Sequence, residues 1–349
     1  YLFRSLGYRR GAAALAAGAT LPFLFQQGNS MWGGNIPSVL AGEFCHAIGL
    51  SLALVFAGYL NKCMDGRRPW PVAGLLLALV GLCHTYAFIA ALWYAAFFVL
   101  PMKGLAQRAA KLLALGGLAF LLLAFWGLPL PSRLIFTTEW SMIWRIKAWA
   151  EVLPEALWPM AALGGLGLPL LVLRAWLGGE HLQARRQGFL VFGLSGGILL
   201  YFLVPAIGFP DIRFVPVAQL FVCLLAADLL DWLGSRFNYR MAYVAVALLA
   251  SVAWAQAHLG YIPAWLEWNY AGYEAKSPWQ QFANINEHLR GDINDPRVVF
   301  EHSQKHNRFG SSRAFENLPL FSGRSTLEGV FHQASPNSPF IFYLQSEAS

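Results

Sequence analysis

The chain has 349 residues, 57% of them hydrophobic and only 12% charged, with a mean hydropathy of +0.48. That balance excludes a soluble domain, where about a quarter of residues are charged, and marks an integral membrane protein. The net charge of +7 does not mark a nucleic-acid partner, because the basic residues fall in short clusters between apolar runs and form no single stripe.

Apolar stretches cover roughly residues 11–25, 38–60, 71–100, 112–130, 157–175, 188–206, 214–232 and 241–259, most of them long enough for helices across about 30 Å of hydrocarbon. The stretch 71–100 reads either as one tilted helix or as a hairpin turning at Cys83-His84-Thr85. The hairpin gathers Arg4, Arg9, Arg10, Lys62, Arg67, Arg68, Lys103, Arg108, Lys111, Arg174, Arg185, Arg186, Arg236 and Arg240 on one side. Only Arg133, Arg145, Lys147 and Arg213 fall in the short loops of the other side. The positive-inside rule therefore favours the hairpin, nine crossings, and a region from about 260 onward outside the cytoplasm. Each hairpin arm is too short to span, so His84 is expected below the outer surface, where non-helical backbone is tolerated only against protein or a wet cavity.

The expected fold is thus an all-α polytopic membrane domain over residues 1–260, followed over 261–349 by the start of a small α/β or α+β periplasmic domain. In that second region "SPWQQFANINEHLRG" signals a helix with Ser277 as N-cap, Pro278 in first position and Gly291 as stop. "RVVFEH" and "FIFYLQ" are β-rich runs. The four cysteines, Cys45, Cys63, Cys83 and Cys223, lie in or beside apolar segments without CxxC spacing, so neither a disulfide framework nor a zinc site is expected. A start at Tyr1 and an end just after "FIFYL" read as an internal piece of a longer protein.

Four stretches carry chemistry. In "MWGGNIPSVLAGEFCH", Asn35 can cap a helix that Pro37 pre-organises, and Glu43 and His46, at i and i+3, are expected on one face near its outer end. A charge inside a membrane helix costs roughly 2–4 kcal/mol at the bilayer centre and defaults to a functional reading with a named partner. The bland alternative is a Glu43–His46 hydrogen bond locking two helices. On a neighbouring line Gly42, Gly49, Ala53 and Ala57 form a small-residue stripe for close packing. In "GFPDIRFVPVAQLF", Asp211 and Arg213 sit at a helix mouth, where Arg213 offers a planar fork for a phosphate or else pairs with Asp211.

The loop "TTEWSMIWRIKAWAEVL" is amphipathic at helical spacing, so a surface helix is expected, with Trp140 and Trp144 toward its polar side as a sugar platform or as an aromatic belt. Residues 313–333 mix Arg313, Glu316, Arg324, Glu328 and Gln333 in what is usually a solvated face. His302 and His306 have i, i+4 metal-ligand spacing without an HExxH pattern.

The combination of "GGNIPSVLAGEF", "GLCHTY", "PDIRFVPVAQL" and "ENLPLFSGRSTLEGVFHQ" resembles bacterial multi-spanning proteins labelled 6-pyruvoyl-tetrahydropterin-synthase-related. Their architecture is similar to the GT-C superfamily of polyprenyl-phosphate-sugar glycosyltransferases. The resemblance implies a bacterial inner-membrane enzyme that transfers a sugar from a polyprenyl-phosphate donor at the outer face, with membrane lipid as a further partner. It also implies short or re-entrant helices, a surface helix, and an acidic base on a first outer loop that would lie before Tyr1. A divalent metal is compatible with such chemistry, although no site for one is evident. On this reading Glu43 takes the acidic role beside His46, His84 and Arg213 bind phosphate, Asp211 lies with them in the substrate site, Trp140 and Trp144 hold sugar, and Arg324 and Glu328 contribute from the second domain. The alternative is a transporter or flippase for a lipid-linked or polar solute, with Glu43, His46 and His84 lining the path; against it, no paired half-repeat is visible.

Overall fold

A computed structural model describes residues 1–100, 104–133, 135, 144–176, 181–260, 262–301, 303–311 and 313–327, with backbone alone over 171–176 and 181–184. It divides into two compact units: Tyr1–Pro129 with Trp140–Gly260, and Leu130–Glu139 with Tyr261–Ser349.

The first unit is helical. In chain order its main helices are α1 (Arg10–Ala19), α2 (Phe44–Met64), α3 (Trp70–Cys83), α4 (Thr85–Ala96), α5 (Leu105–Gly127), α6 (Trp158–Trp176), α7 (His181–Leu203), α8 (Val215–Gly234) and α9 (Arg240–Ala257). Among the described residues, five segments are long and apolar enough to cross a membrane: Ile36–Met64, Leu105–Ser132, Arg185–Ile207, Ile212–Gly234 and Arg240–Ala257. Arg10–Phe25 and the two arms 70–83 and 85–99 are apolar but shorter.

The central member is α8. In its most apolar window 78% of the residues are buried, against 17% for the corresponding windows in α5 and α9. Helices α6 and α7 flank it closely because glycines face it: a Cβ at Gly197 would stand 2.5 Å from the Ala218 nitrogen, and one at Gly164 would stand 2.8 Å from the Val222 carbonyl. Without a hydrophobic drive between helices in lipid, such close backbone approach is what holds a bundle together. Leu113, Leu121 and Phe125 of α5 are more than two-thirds exposed, the pattern of a lipid-facing side. At the other end of α8 the buried Asp228 carboxylate accepts from the Tyr8 hydroxyl at 2.7 Å and from the Gln187 amide at 3.1 Å.

Helices α3 and α4 meet at His84, whose extended backbone (φ −166°, ψ 129°) breaks the apolar stretch into two helices at the expected place. Gly49, Ala53 and Ala57 of α2 are buried, and a Cβ at Gly49 would meet the Cβ atoms of Ala87 at 2.8 Å and His84 at 3.3 Å. Gly42 is not part of this stripe. It adopts φ +106° inside a π-helical turn over Val39–Glu43 and is exposed.

The second unit departs from the sequence expectation. Among its described residues there is no strand, only an isolated parallel bridge between Val298 and Thr326. "RVVFEH" contributes that bridge alone, and "FIFYLQ" lies outside the described residues. The unit carries α10 (Ile262–Tyr270) and α11 (Trp279–His288), the latter starting one residue later than expected, with Pro278 at its N-cap. Phe282 of α11 centres a small aromatic core with Phe309, Phe315 and Leu318.

The packing at Gly49 generates a prediction. Gly49→Leu must push the hairpin off α2, and overpacking of this kind costs about 1–3 kcal/mol. Gly116→Leu, where a Cβ meets nothing within 4 Å, is expected to leave the melting temperature in detergent unchanged. Equal melting temperatures for both variants would show that the α2–hairpin contact is not tight.

Candidate functional site

The loop leading into α2 is fixed by its own polar groups. Asn35 is fully buried, donates to the carbonyls of Gln26 at 3.1 Å and Asn29 at 3.0 Å, and accepts the Ser38 N–H at 3.1 Å as helix N-cap. The Gly33 N–H donates to the Ser38 hydroxyl at 3.0 Å. Gly33 has φ +101°, and a Cβ there would lie 1.8 Å from Nδ1 of His46. Only glycine lets this loop close over the imidazole.

Glu43 and His46 do not act as a pair. Because the left-handed Gly42 interrupts the helix one residue before Glu43, the i, i+3 alignment fails and the two side chains find different partners. The Glu43 carboxylate accepts from Arg213 at 2.5 Å, and the other arm of the guanidinium donates to the Met31 carbonyl at 2.6 Å. Both charged side chains are only about one-fifth exposed. His46 is fully buried and stacks on His84, ring centroids 4.4 Å apart at 17°. Tyr86, the second residue of α4, lies with its ring 5.4 Å from that of His84 and packs edge-on against Phe209 and Phe214.

The charge of Arg213 reaches His46, His84 and Tyr86, and those of Glu43 and Asp211 also reach Tyr86. Nδ1 of His84 and both ring nitrogens of His46 lack a hydrogen bond of ordinary geometry among the described residues, the Trp32 backbone being the polar group facing His46. A cavity of about 410 Å³ opens at the helix break, lined by His84, Thr85, Tyr86, Cys83, Trp126 and their neighbours.

Asp211 and Arg213 also part company. Asp211 is buried and accepts the backbone N–H of Trp144 at 3.2 Å, which leaves Arg213 to Glu43. Over the described residues 144–153 the expected surface helix does not form: residues 144–147 are not helical and only Trp149–Val152 make a single turn. The segment is instead pinned as a strap. The Tyr201 hydroxyl donates to the Trp144 carbonyl at 3.0 Å, Asn29 to the Glu151 carbonyl at 2.8 Å, and Gln219 to the Val152 carbonyl. Trp144 itself sits edge-on to Trp32 at 6.0 Å, with its indole N–H 3.4 Å from the Glu151 carboxylate.

Trp140, Glu328 and His302 lie outside the described residues. Arg324 belongs to the second unit, where it donates to the Pro296 carbonyl at 2.8 Å. Arg313 there pairs with Glu316, and His306 packs edge-on against Phe315 from a 3-10 turn. No group of three or more His, Cys, Asp or Glu side chains is gathered for a metal among the described residues. Sequence reasoning missed Tyr86, Trp32 and the carbonyl of Met31. Tyr86 was within reach, two residues beyond His84 in "CHTY"; the Met31 carbonyl leaves no side-chain signal.

A family model described as "6-pyruvoyl-tetrahydropterin synthase related domain; membrane protein" matches residues 1–265. The chain belongs to this family. Every residue of the Glu43–Arg213 cluster falls inside the matched region, while residues 280–349 match a separate model, "Domain of unknown function (DUF8559)". No curated protein and no solved structure matches the chain.

The Glu43–Arg213 pair is open to a double-mutant cycle. Glu43→Gln and Arg213→Gln each leave one charge without its partner, so the double variant is expected to unfold in detergent with a coupling of about 1–3 kcal/mol relative to the sum of the singles. Additive effects would mean that the pair contributes nothing to the fold.

Proposed function

We propose that the protein is a GT-C-like glycosyltransferase of the bacterial inner membrane, transferring a sugar from a polyprenyl-phosphate donor to an acceptor hydroxyl at the outer face. The observation that carries this reading is the cluster of Glu43, Arg213, His84, His46 and Tyr86, drawn from three distant segments to a broken-helix mouth. Arg213 engages two of its donors and keeps the remaining N–H groups of its fork for a phosphate. His84 borders the cavity with an unpaired ring nitrogen. Glu43 has a second oxygen for a proton.

In the proposed step Glu43 accepts the acceptor's hydroxyl proton as that oxygen bonds the anomeric carbon of the donor sugar. The bond from that carbon to the phosphate oxygen breaks, and the charge left on the lipid phosphate is met by Arg213 and by an N–H of His84. Trp144, 41% exposed, offers a flat face to the sugar.

Three measurements test this. In a lipid-phosphate-sugar transfer assay on the full-length protein, Glu43→Gln is expected to lower turnover by ~100-fold or more. Arg213→Lys is expected to weaken donor use about tenfold, because a fork becomes a point charge. Wild-type turnover in a folded Glu43→Gln protein would remove Glu43 from the chemistry, and solute flux without transfer would favour the transporter. Cysteines introduced at 65 and 105 should label from the same side of the membrane; labelling from opposite sides would overturn the hairpin topology.

A further inference from the structure

The turn between α2 and α3 is short and closed by its own backbone. Gly66, in the left-handed conformation (φ +73°), ends α2: its N–H donates to the Cys63 carbonyl at 3.0 Å, the Arg67 N–H donates to the Lys62 carbonyl at 2.9 Å, and Pro69 follows. Arg67 and Arg68 are thereby presented side by side in sequence and exposed. Helix α5 runs beside α3 in the same direction, since a Cβ at Gly74 would meet the Leu115 carbonyl at 2.9 Å and one at Gly81 the Leu123 side chain at 2.8 Å. One turn back toward the start of each helix, Trp70 comes abreast of Lys111, and the arginine turn abreast of Arg108. The Lys111 ammonium reaches the Cys63 carbonyl at 3.4 Å, and Arg185 of α7 pairs with Asp65 at 3.0 Å.

Lys62, Arg67, Arg68, Arg108, Lys111 and Arg185 therefore converge on one end of the bundle. The acid of the turn, Asp65, is already taken by Arg185, and neither α3 nor α5 carries an acidic residue in its first turn. The guanidinium groups of Arg67, Arg68 and Arg108 make no hydrogen bond or ion pair among the described residues. The positive-inside rule asks for cations on one side of a membrane, not for their convergence. Near Asp228 and Asp231, by contrast, the cations are matched: Arg240 pairs with Asp231, Arg236 lies over the Trp232 ring at 4.6 Å, and Arg186 donates to the Leu6 carbonyl at 3.0 Å. The unmatched patch sits where Ile36–Met64 ends and Leu105–Ser132 begins, two segments long and apolar enough to span, which puts it at a membrane surface. Beside it Trp70, Val72 and Leu75 of α3 and Leu113 of α5 are exposed.

We propose that this patch binds the head group of an anionic phospholipid, the phosphodiester lying between the Arg67–Arg68 turn and Arg108 and the acyl chains running along the exposed apolar side chains of α3 and α5. Guanidinium forks match a pair of phosphate oxygens. A zwitterionic head group brings its own cation and gains little from the patch, whereas an anionic one supplies the charge that the chain leaves out. The apolar border favours a lipid over a soluble phosphate, which has nothing to lay against it. The inference concerns binding, stands apart from sugar transfer, and holds whichever side of the membrane this end faces.

The test titrates the full chain, in a neutral detergent, with phosphatidylglycerol or phosphatidylcholine and counts bound lipid by native mass spectrometry. Phosphatidylglycerol is expected to bind about tenfold more tightly than phosphatidylcholine, and Arg67→Gln, Arg68→Gln and Arg108→Gln should each weaken it about fivefold while leaving phosphatidylcholine unchanged. Arg9→Gln and Arg10→Gln, exposed cations on the segment that Tyr8 ties to Asp228, should leave both lipids unchanged. On the wild-type protein, phosphatidylglycerol carrying a diazirine on its head group should form adducts on peptides containing Arg67–Trp70 and Leu105–Lys111, about fivefold above those on the peptide with Arg9 and Arg10. That map needs no variant, so it decides the matter even if a substitution prevents folding. Equal binding of the two lipids, equal weakening by the Arg9 and Arg10 variants, or adducts spread evenly over both peptide sets would reduce the patch to a topology signal and overturn the proposal. Displacement of the lipid by an equal concentration of inorganic phosphate would overturn the lipid as partner.

Discussion

An ionised carboxylate stays at the edge of an apolar bundle only where a cation meets it, and in this protein Glu43 is met by Arg213. That pair bridges the turn before α2 and the start of α8, two segments 170 residues apart. Much of the local architecture serves to permit it. The left-handed Gly42 swings Glu43 away from the line of His46, the buried Asn35 fixes the loop whose Met31 carbonyl takes the second arm of the guanidinium, and Asp211 turns to the strap, leaving Arg213 free to cross.

The same economy of partners explains the histidines. Released from Glu43, His46 fills the space under Gly33 and stacks on His84, at the point where the α3–α4 hairpin breaks. Broken backbone at membrane depth is tolerated only where protein or a cavity receives it, and both are present: Gly49 lets α2 lie against His84, and a cavity opens on the other side. A polar mouth and a tightly packed stripe are therefore two consequences of one helix break.

The sequence was most legible where a single local rule governs. Apolar length located the helices, the break in the long apolar stretch falls at the His84 that the sequence marked, and Asn35 with Pro37 marked a helix start that the N-cap bond to Ser38 bears out. It was least legible where partners compete across the chain. Asp211 and Arg213 lie two residues apart and read as a pair, yet the backbone N–H of Trp144 takes one and Glu43 the other. Helical periodicity in 141–153 predicted a surface helix, but hydrogen bonds from Tyr201, Asn29 and Gln219 outweigh that pattern over the described part of the segment. The β-rich "RVVFEH" needed a neighbouring strand to pair with, and among the described residues it finds a single bridge, in which Val298 exchanges backbone hydrogen bonds with Ser325 and Leu327.

These competitions also bear on what kind of chemistry the mouth can support. The two imidazoles are nearly parallel, so their in-plane lone pairs run side by side and do not converge on one point, a geometry poorly suited to joint chelation of an ion. The accessible polar groups of the mouth are therefore Glu43 and Arg213, each about one-fifth exposed, because His46 is fully buried and both of its ring nitrogens and Nδ1 of His84 are sealed from solvent.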